Sequence, residues 1–271
     1  MVKIFDLAPV SLETITAFDV VTGSYLFTMD ELQNASLAQG QEKIDITGKQ
    51  GRKLTSLKRN KTLTVSGSNG MISAGMIELQ TGCEFDNKAT EVMWYDYLTV
   101  SDDKATTNFK AVGTEGNEIP EVLVKDKDGI VVRVLTQGTN AVKTTTEKNG
   151  TYTYDPSSKE IAFAAGELED GTEIVANYNR KIQASVLENM SDTYSGKATL
   201  YIDLLAEDKC ANVYRVQIKI PKADFNGEFN MEFGDNQTIH NFEAEGLAGA
   251  CGAGAVLWSW TVFGAEAEDA A

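Results

Sequence analysis

The chain has 271 residues and carries 24 Lys and Arg against 40 Asp and Glu, a formal net charge of −16. That balance argues against a nucleic-acid-binding surface, although it suits a surface that nucleic acid must pass without sticking. Hydrophobic content is ordinary at 42%, the length suffices for one large or two modest domains, and no stretch reaches the roughly 18 apolar residues of a membrane span.

Residues 1–28 read as β-rich, with Ile15 and Ala17 before a Gly23-Ser24 turn and Tyr25-Leu26-Phe27 after it. Asp30 followed by Glu31, Leu32 and Gln33 has the form of a capping box, which predicts a short helix or turn reaching Ala38. Residues 39–62 form a long polar segment in which the local charge reverses. Lys43, Lys49, Arg52, Lys53, Lys58, Arg59 and Lys61 face only Glu42 and Asp45. Three readings stand open here: a solvated hairpin or loop, an electrostatic docking arm for an acidic neighbour such as another copy of this chain, and a phosphate site. The phosphate reading is weakened by the lack of interleaved aromatics that would stack bases.

Leu63 and Val65 mark a strand over Thr62–Ser66. From Asn69 the period changes. Ile72, Met76 and Leu79 recur at helical spacing, and Gly82 is placed to end the helix. Thr90–Val100 returns to strand, with Val92, Trp94 and Leu98 on one face and Met93, Tyr95 and Tyr97 on the other. A strand apolar on both faces is either buried twice or lies at an interface.

Residues 101–118 read as a polar loop. Beyond it come short β patterns: Val122 and Val124, an Asp128-Gly129 turn, then Ile130, Val132 and Val134. Tyr152 and Tyr154 precede an Asp155-Pro156 turn, followed by Ile161 and Phe163, then Ile174, Ala176 and Tyr178. This density of strands predicts a small inserted β-sandwich at 116–182, within a discontinuous main β domain of 1–115 and 183–271.

The clearest alternation runs from Val213 to Phe242. Tyr214, Val216, Ile218 and Ile220 share one face, and Arg215, Gln217 and Lys219 the other, with Pro221 ending the run. Phe225, Phe229, Met231 and Phe233 continue the pattern opposite Asn226, Glu228, Asn230 and Glu232. His240, Phe242 and Ala244 follow the turn at Gly234-Asp235-Asn236, and Val256–Phe263 forms a last, very apolar strand. With Ala198–Leu204 ahead of them, these runs predict an antiparallel sheet.

Searches for catalysis end without a site. His240 is the one histidine, which excludes multi-histidine metal centres, and on an alternating strand it reads as a packed structural residue. Asp126-Lys127-Asp128-Gly129 resembles part of a calcium loop, but the first and last ligand positions would be Val124 and Leu135. Gly249, Gly252 and Gly254 have the wrong spacing for a dinucleotide loop and precede a strand. Glu167, Glu169 and Asp170 cluster in one turn, not across a cleft. Catalytic, cofactor and metal residues are therefore assigned to none. Cys83, Cys210 and Cys251 are odd in number and far apart, which fits free thiols in a reducing cytoplasm. Asp6, Pro9 and Glu13 stand where a signal peptide needs an apolar run, so secretion is not expected.

The run from Tyr214 to Phe229, with Pro221 and Gly227 inside it, then His240-Asn-Phe-Glu-Ala-Glu-Gly and Leu257-Trp258, resembles the C-terminal part of the major tail (tail tube) proteins of long-tailed bacteriophages. The early order of strands, polar segment at 39–62, strand and helix ending in Thr81-Gly82 is similar to them too. The resemblance implies a β-sandwich or half-barrel subunit with one flanking helix. It implies rings of six copies whose sheets join into an inner barrel, stacked through a long loop, with viral DNA travelling down the lumen. It further implies tape-measure, terminator and baseplate or tip proteins as partners, assembly in the host cytoplasm, and no membrane.

Within that resemblance an internal immunoglobulin-like insertion is unusual, since the extra domain of tail proteins generally lies at the C-terminus. Lys49, Arg52, Lys53, Lys58, Arg59 and Lys61 become candidates for docking between rings. Glu228 and Glu232 become candidates for the lumen. The expected function is a self-assembling tail tube subunit of the virion, not an enzyme. The alternatives are a capsid decoration or neck protein, or a carbohydrate-binding module using Tyr152, Tyr154 and Tyr178.

Overall fold

A computed structural model describes residues 6–138, 150–232, 239–249 and 254–264. Phe233, the Gly234-Asp235-Asn236 turn, Cys251, Gly252 and the acidic C-terminal tail lie outside the described residues. Among the described residues the chain is mainly β, with one α-helix, as the alternating patterns predict.

In chain order it runs through β1 (Leu7–Asp19), β2 (Tyr25–Met29), β3 (Leu32–Thr47) and β4 (Lys53–Asn69) to the helix α1 (Ala74–Thr81). Then come β5 (Asp86–Thr99), β6 (Lys104–Thr106), β7 (Glu121–Lys125), β8 (Val131–Gln137), β9 (Thr151–Asp155), β10 (Glu160–Phe163) and β11 (Glu173–Val186). It closes with β12 (Lys197–Asp208), β13 (Val213–Phe225), β14 (Met231–Glu232), β15 (Ile239–Gly246) and β16 (Ser259–Gly264). Contacts divide it into two compact units, Met1–Phe85 with Leu187–Ala271, and Asp86–Val186.

In the first unit every pairing is antiparallel, and the sheet runs β2-β1-β12-β13-β15-β4-β3. β13 is its branch point. Its far edge pairs with β16 over Tyr214–Lys219 and with β15 over Ala223–Phe225. Between these stretches Pro221 and Lys222 together oppose Thr199, whose Oγ1 donates to the Pro221 carbonyl at 2.9 Å. Pro221 therefore does not end the strand as expected. It sits at a β-bulge, where its missing N–H costs no ladder bond.

The inner face buries Ile15, Ala17, Leu200, Ile202, Ile218 and Ile220 against Leu63, Val65, Phe225 and Phe242. Helix α1 closes this core with Met76, which is fully buried. Its start is capped by Ser73 Oγ, which accepts from the Met76 N–H at 3.4 Å. Its end is Gly82 at φ 71°, whose N–H donates to the Glu78 carbonyl at 2.7 Å. A Cβ there would lie 2.1 Å from the Tyr194 carbonyl oxygen, so glycine is required for shape as well as for conformation.

Two further expectations fail in this unit. The capping-box signal at Asp30–Gln33 opens no helix, because Leu32–Thr47 is β3, paired with β4 from Leu32↔Asn69 to Thr47↔Lys53. Long-range pairing overrides the local signal. The run around Phe229 is not a full strand either. Residues 226–230 form a turn and loop, and only Met231 and Glu232 pair, with His240 and Ile239.

The second unit is a seven-stranded sheet in the order β5-β11-β7-β8-β9-β10-β6, antiparallel except for the short β8–β9 pair. Its core is Ile119, Val122, Leu135, Tyr152, Ile161, Ile174 and Tyr178 with their neighbours. It begins earlier than the 116–182 read from the sequence. β5 pairs with β11 over 14 consecutive residues, Asp86↔Val186 to Thr99↔Glu173, with no register shift. The chain therefore enters and leaves this unit through adjacent strands.

Inside the second unit the loop after β6 is pinned by buried polar groups. Asp96, 2% exposed, accepts from Tyr178 Oη at 2.6 Å, Asn108 N at 2.7 Å, Asn108 Nδ2 at 2.6 Å and Trp94 Nε1 at 3.0 Å. Burial raises the Asp96 pKa, but these donors outweigh it and the net shift is downward. Tyr178 Oη in turn accepts from the Phe109 N–H at 3.1 Å, and Arg180 lies over the Phe109 ring at 3.7 Å and the Trp94 ring at 4.5 Å.

Candidate functional site: the basic arm and the open sheet edges

The basic segment is the outer half of the β3–β4 hairpin. Only Asn69 to Thr64 of β4 pair with β15, so residues 40–62 continue as a two-stranded arm without a third strand. Every residue of this arm is exposed except Ile44, Gly48 and Ser56, which are half-buried. Lys49 and Arg52 stand at its tip, beside the 3-10 turn Lys49–Gly51, and Lys53, Lys58, Arg59 and Lys61 lie on β4.

Both carboxylates of the arm are internally matched. Arg59 donates from Nε and Nη2 to Glu42 at 3.0 Å each, which holds the Glu42 pKa below its usual value. Lys53 Nζ lies 2.7 Å from Asp45, which raises the lysine pKa. Among the described residues Lys49, Arg52, Lys58 and Lys61 have no carboxylate within 4.0 Å, the limit for an ion pair. The arm also exposes an apolar face. Ile44 and Leu57 lie directly opposite one another, and Ile46 follows on the same side. Ile46 and Leu57 are 47% and 56% exposed.

The second feature is a set of unpaired strand edges. The part of the first unit's sheet that runs β2-β1-β12-β13-β16 ends in β2 on one side and β16 on the other, and neither has a further partner among the described residues. One face of this part is core. The other carries a polar cross-strand row, Thr28, Thr16, Tyr201, Lys219 and Ser259, in register. A second row is Thr14, Asp203, Gln217 and Thr261, in which Gln217 Nε2 donates to Asp203 Oδ1 at 3.0 Å. Lys219 lies over the Tyr201 ring at 5.1 Å.

Glu228 and Glu232 are not on that polar face. Glu228 stands exposed in the loop after β13, where its N–H donates to Asn226 Oδ1 at 3.0 Å. Glu232 is exposed on β14 and accepts from Asn230 Nδ2 at 3.2 Å. His240 is fully buried and bonded to Gln80, consistent with a structural residue. Asp126 Oδ1 accepts from the N–H groups of Asp128 and Ile130 and so builds the β7–β8 turn. Among the described residues no cluster of His, Cys, Asp or Glu is arranged to hold a metal ion. Tyr152, Tyr154 and Tyr178 are 2%, 8% and 2% exposed, which removes the residues on which a carbohydrate-binding reading rested.

The resemblance implies sheets that join between copies, but the sequence did not show which strands are the open edges. The signal that was present is β5, with apolar residues on both faces. Trp94 and Leu98 turn toward the core side, while Met93, Tyr95 and Tyr97 are 61%, 55% and 74% exposed. Aromatic residues and methionine are the residue types enriched at protein–protein contacts.

Comparison with known proteins gives one family. No curated protein matches the chain. A family model described as the YomU/Tube protein family matches residues 10–255. It thus spans the arm, the whole of Asp86–Val186 and the branch point at β13 and stops before β16, and the family is of a structural, phage tube type. By this match the chain belongs to the YomU/Tube protein family.

Proposed function

We propose that the chain is a tail tube subunit that assembles into stacked rings, six copies to a ring, through whose lumen viral DNA passes. The observation that carries this reading is the five-stranded part of the sheet with an open edge at each end, β2 and β16. Exposed edges invite pairing, and a head-to-tail β2–β16 contact repeated around an axis satisfies both and closes a barrel. Its core face packs inside each subunit, which leaves the Thr16–Tyr201–Lys219 face for the lumen. Glu228 and Glu232 lie off that face and reach the lumen only where the loop after β13 and β14 border it; there they supply negative charge that keeps phosphates sliding instead of binding. The basic arm docks onto the next ring. The protein is then a component of the virion tail, assembled in the host cytoplasm, meeting tape-measure, terminator and baseplate or tip proteins along or at the ends of the tube.

Negative-stain electron microscopy of the purified protein over a concentration series tests this reading. Rings or hollow tubes support it. A persistent monomer or a compact trimer would favour a decoration or neck protein instead.

A further inference from the structure

If β2 and β16 meet in the ring, two long strands stay open along a whole edge. One is β3, the outer strand of the basic arm, and the other is β5, the outer strand of the second unit. The other outer strands, β6 and β14, are 3 and 2 residues long, and partly covered strands leave shorter open stretches, chiefly Lys53–Leu63 of β4, which β15 does not reach. We propose that the arm of one copy adds its β3 edge to the β5 edge of a second copy, so that the two sheets continue across the contact. The inference rests on self-assembly and names the surface that receives the arm.

The backbone of β5 is prepared for such an addition. It has no proline and no bulge against β11, and long, regular, apolar edges of this kind pair readily. The direction of its free groups follows from its neighbour. Asn179 gives its carbonyl to the Val112 N–H at 2.8 Å, on the side of β11 away from β5. Met93, opposite Asn179, therefore sends its own N–H and C=O toward the open edge. By the alternation of the ladder, Tyr95 and Tyr97 do the same. These three residues present both backbone groups to an incoming strand and exposed side chains to whatever it carries.

The arm has the complementary needs. A two-stranded hairpin is marginal alone in water and gains from a third strand. Ile44, Ile46 and Leu57 give it an apolar face to set against Met93, Tyr95 and Tyr97. Charge selects the arm over a second β5. Residues 39–62 carry seven cations and two carboxylates, whereas residues 86–186 carry 17 carboxylates and 11 cations. Asp86 and Glu91 lie on β5 itself, so two β5 edges bring acidic strands together while β5 and the arm attract.

The test uses full-length protein with Cys83, Cys210 and Cys251 replaced by serine. One preparation carries Ile46→Cys, another, distinguishable in size by a tag, carries Tyr95→Cys, and the mixture is treated with a short bismaleimide. The expected product is a covalent dimer holding one chain of each kind, lost when Arg52→Glu and Lys58→Glu are added to the first. Amides of Met93, Tyr95 and Tyr97 should also become slower to exchange on assembly. Tubes in the microscope without the mixed dimer and without that protection would overturn the inference and leave the tube reading intact. Tyr95→Cys chains linking to one another would overturn it in favour of β5 pairing with itself. A mixed dimer without rings or tubes would support the contact and sink the tube.

Discussion

His240 Nε2 lies 2.8 Å from Gln80 Oε1, and Gln80 spends its own Nε2 on the Asn241 carbonyl at 3.1 Å. Because the Gln80 amide donates to a carbonyl, its oxygen faces the imidazole, and the proton sits on His240 Nε2. Nδ1 is left buried without a partner. A second proton there would be a buried, unpaired donor on a cation, and burial accordingly lowers the His240 pKa from its usual 6.5.

A folded-state pKa below the unfolded value means that the unfolded chain takes up the proton first as pH falls. The His240 contribution is therefore complete above about pH 6.5 and is lost as pH drops below that value. Urea unfolding should give a lower midpoint at mildly acidic pH than at neutral pH. A His240→Gln protein should lose that part of the slope. The carboxylates with lowered pKa values, Asp19, Asp96 and Asp208 among them, act in the same direction but in a more acidic window.

Tyr178→Phe removes the hydroxyl that donates to Asp96 and accepts from the Phe109 N–H. The variant leaves a buried carboxylate with one donor fewer and a backbone N–H without its acceptor. It should cost about 1–3 kcal/mol in denaturant unfolding. An unchanged midpoint would show that water or a loop shift replaces both bonds.

Gly82→Ala and Gly129→Ala separate conformation from space. Both glycines have positive φ, 71° and 79°. A Cβ at Gly129 meets nothing within 4 Å, whereas at Gly82 it collides with Tyr194. Gly129→Ala should cost on the order of 1 kcal/mol from the left-handed conformation alone. Gly82→Ala should cost clearly more, and equal losses in thermal unfolding would contradict the account of the helix end.

Reversing charge at Arg52, Lys53, Lys58 and Arg59 should block ring stacking and leave the fold nearly untouched. All four side chains are exposed, and the Lys53–Asp45 and Arg59–Glu42 pairs they give up are surface pairs that add little to stability. Sedimentation and microscopy report the assembly, and circular dichroism the fold. Tubes of normal length from the reversed protein would remove the arm from the stacking contact.

Much of the fold could be read where burial imposes its own period. Val216, Ile218 and Ile220 are buried in strict alternation, and Gly82 ends the helix that Met76 anchors. The reading failed where structure depends on a distant partner. Asp30–Gln33 looks like a helix start, yet the strand it opens is fixed by β4, from Asn69 back to Lys53. Pro221 looks like a stop because a bulge opposite Thr199 leaves no trace in local sequence. β5 joins the second unit because of β11, a partner far along the chain. The arm's charge could be counted directly from residues 39–62. Which strands form the open edges could not be read there, because an edge is defined by which strand fails to arrive.

The paired ends of the second unit have one more consequence. Asp86 and Val186 face each other across a single strand spacing. The whole unit is thus spliced into the chain at one point, like a cassette in a socket. Excising it would leave Phe85 and Leu187 close enough to be bridged by a tight turn, and a different β module with neighbouring termini would fit the same place. Exchange at that one point replaces β5 to β11 and leaves every strand pairing of the first unit as it is.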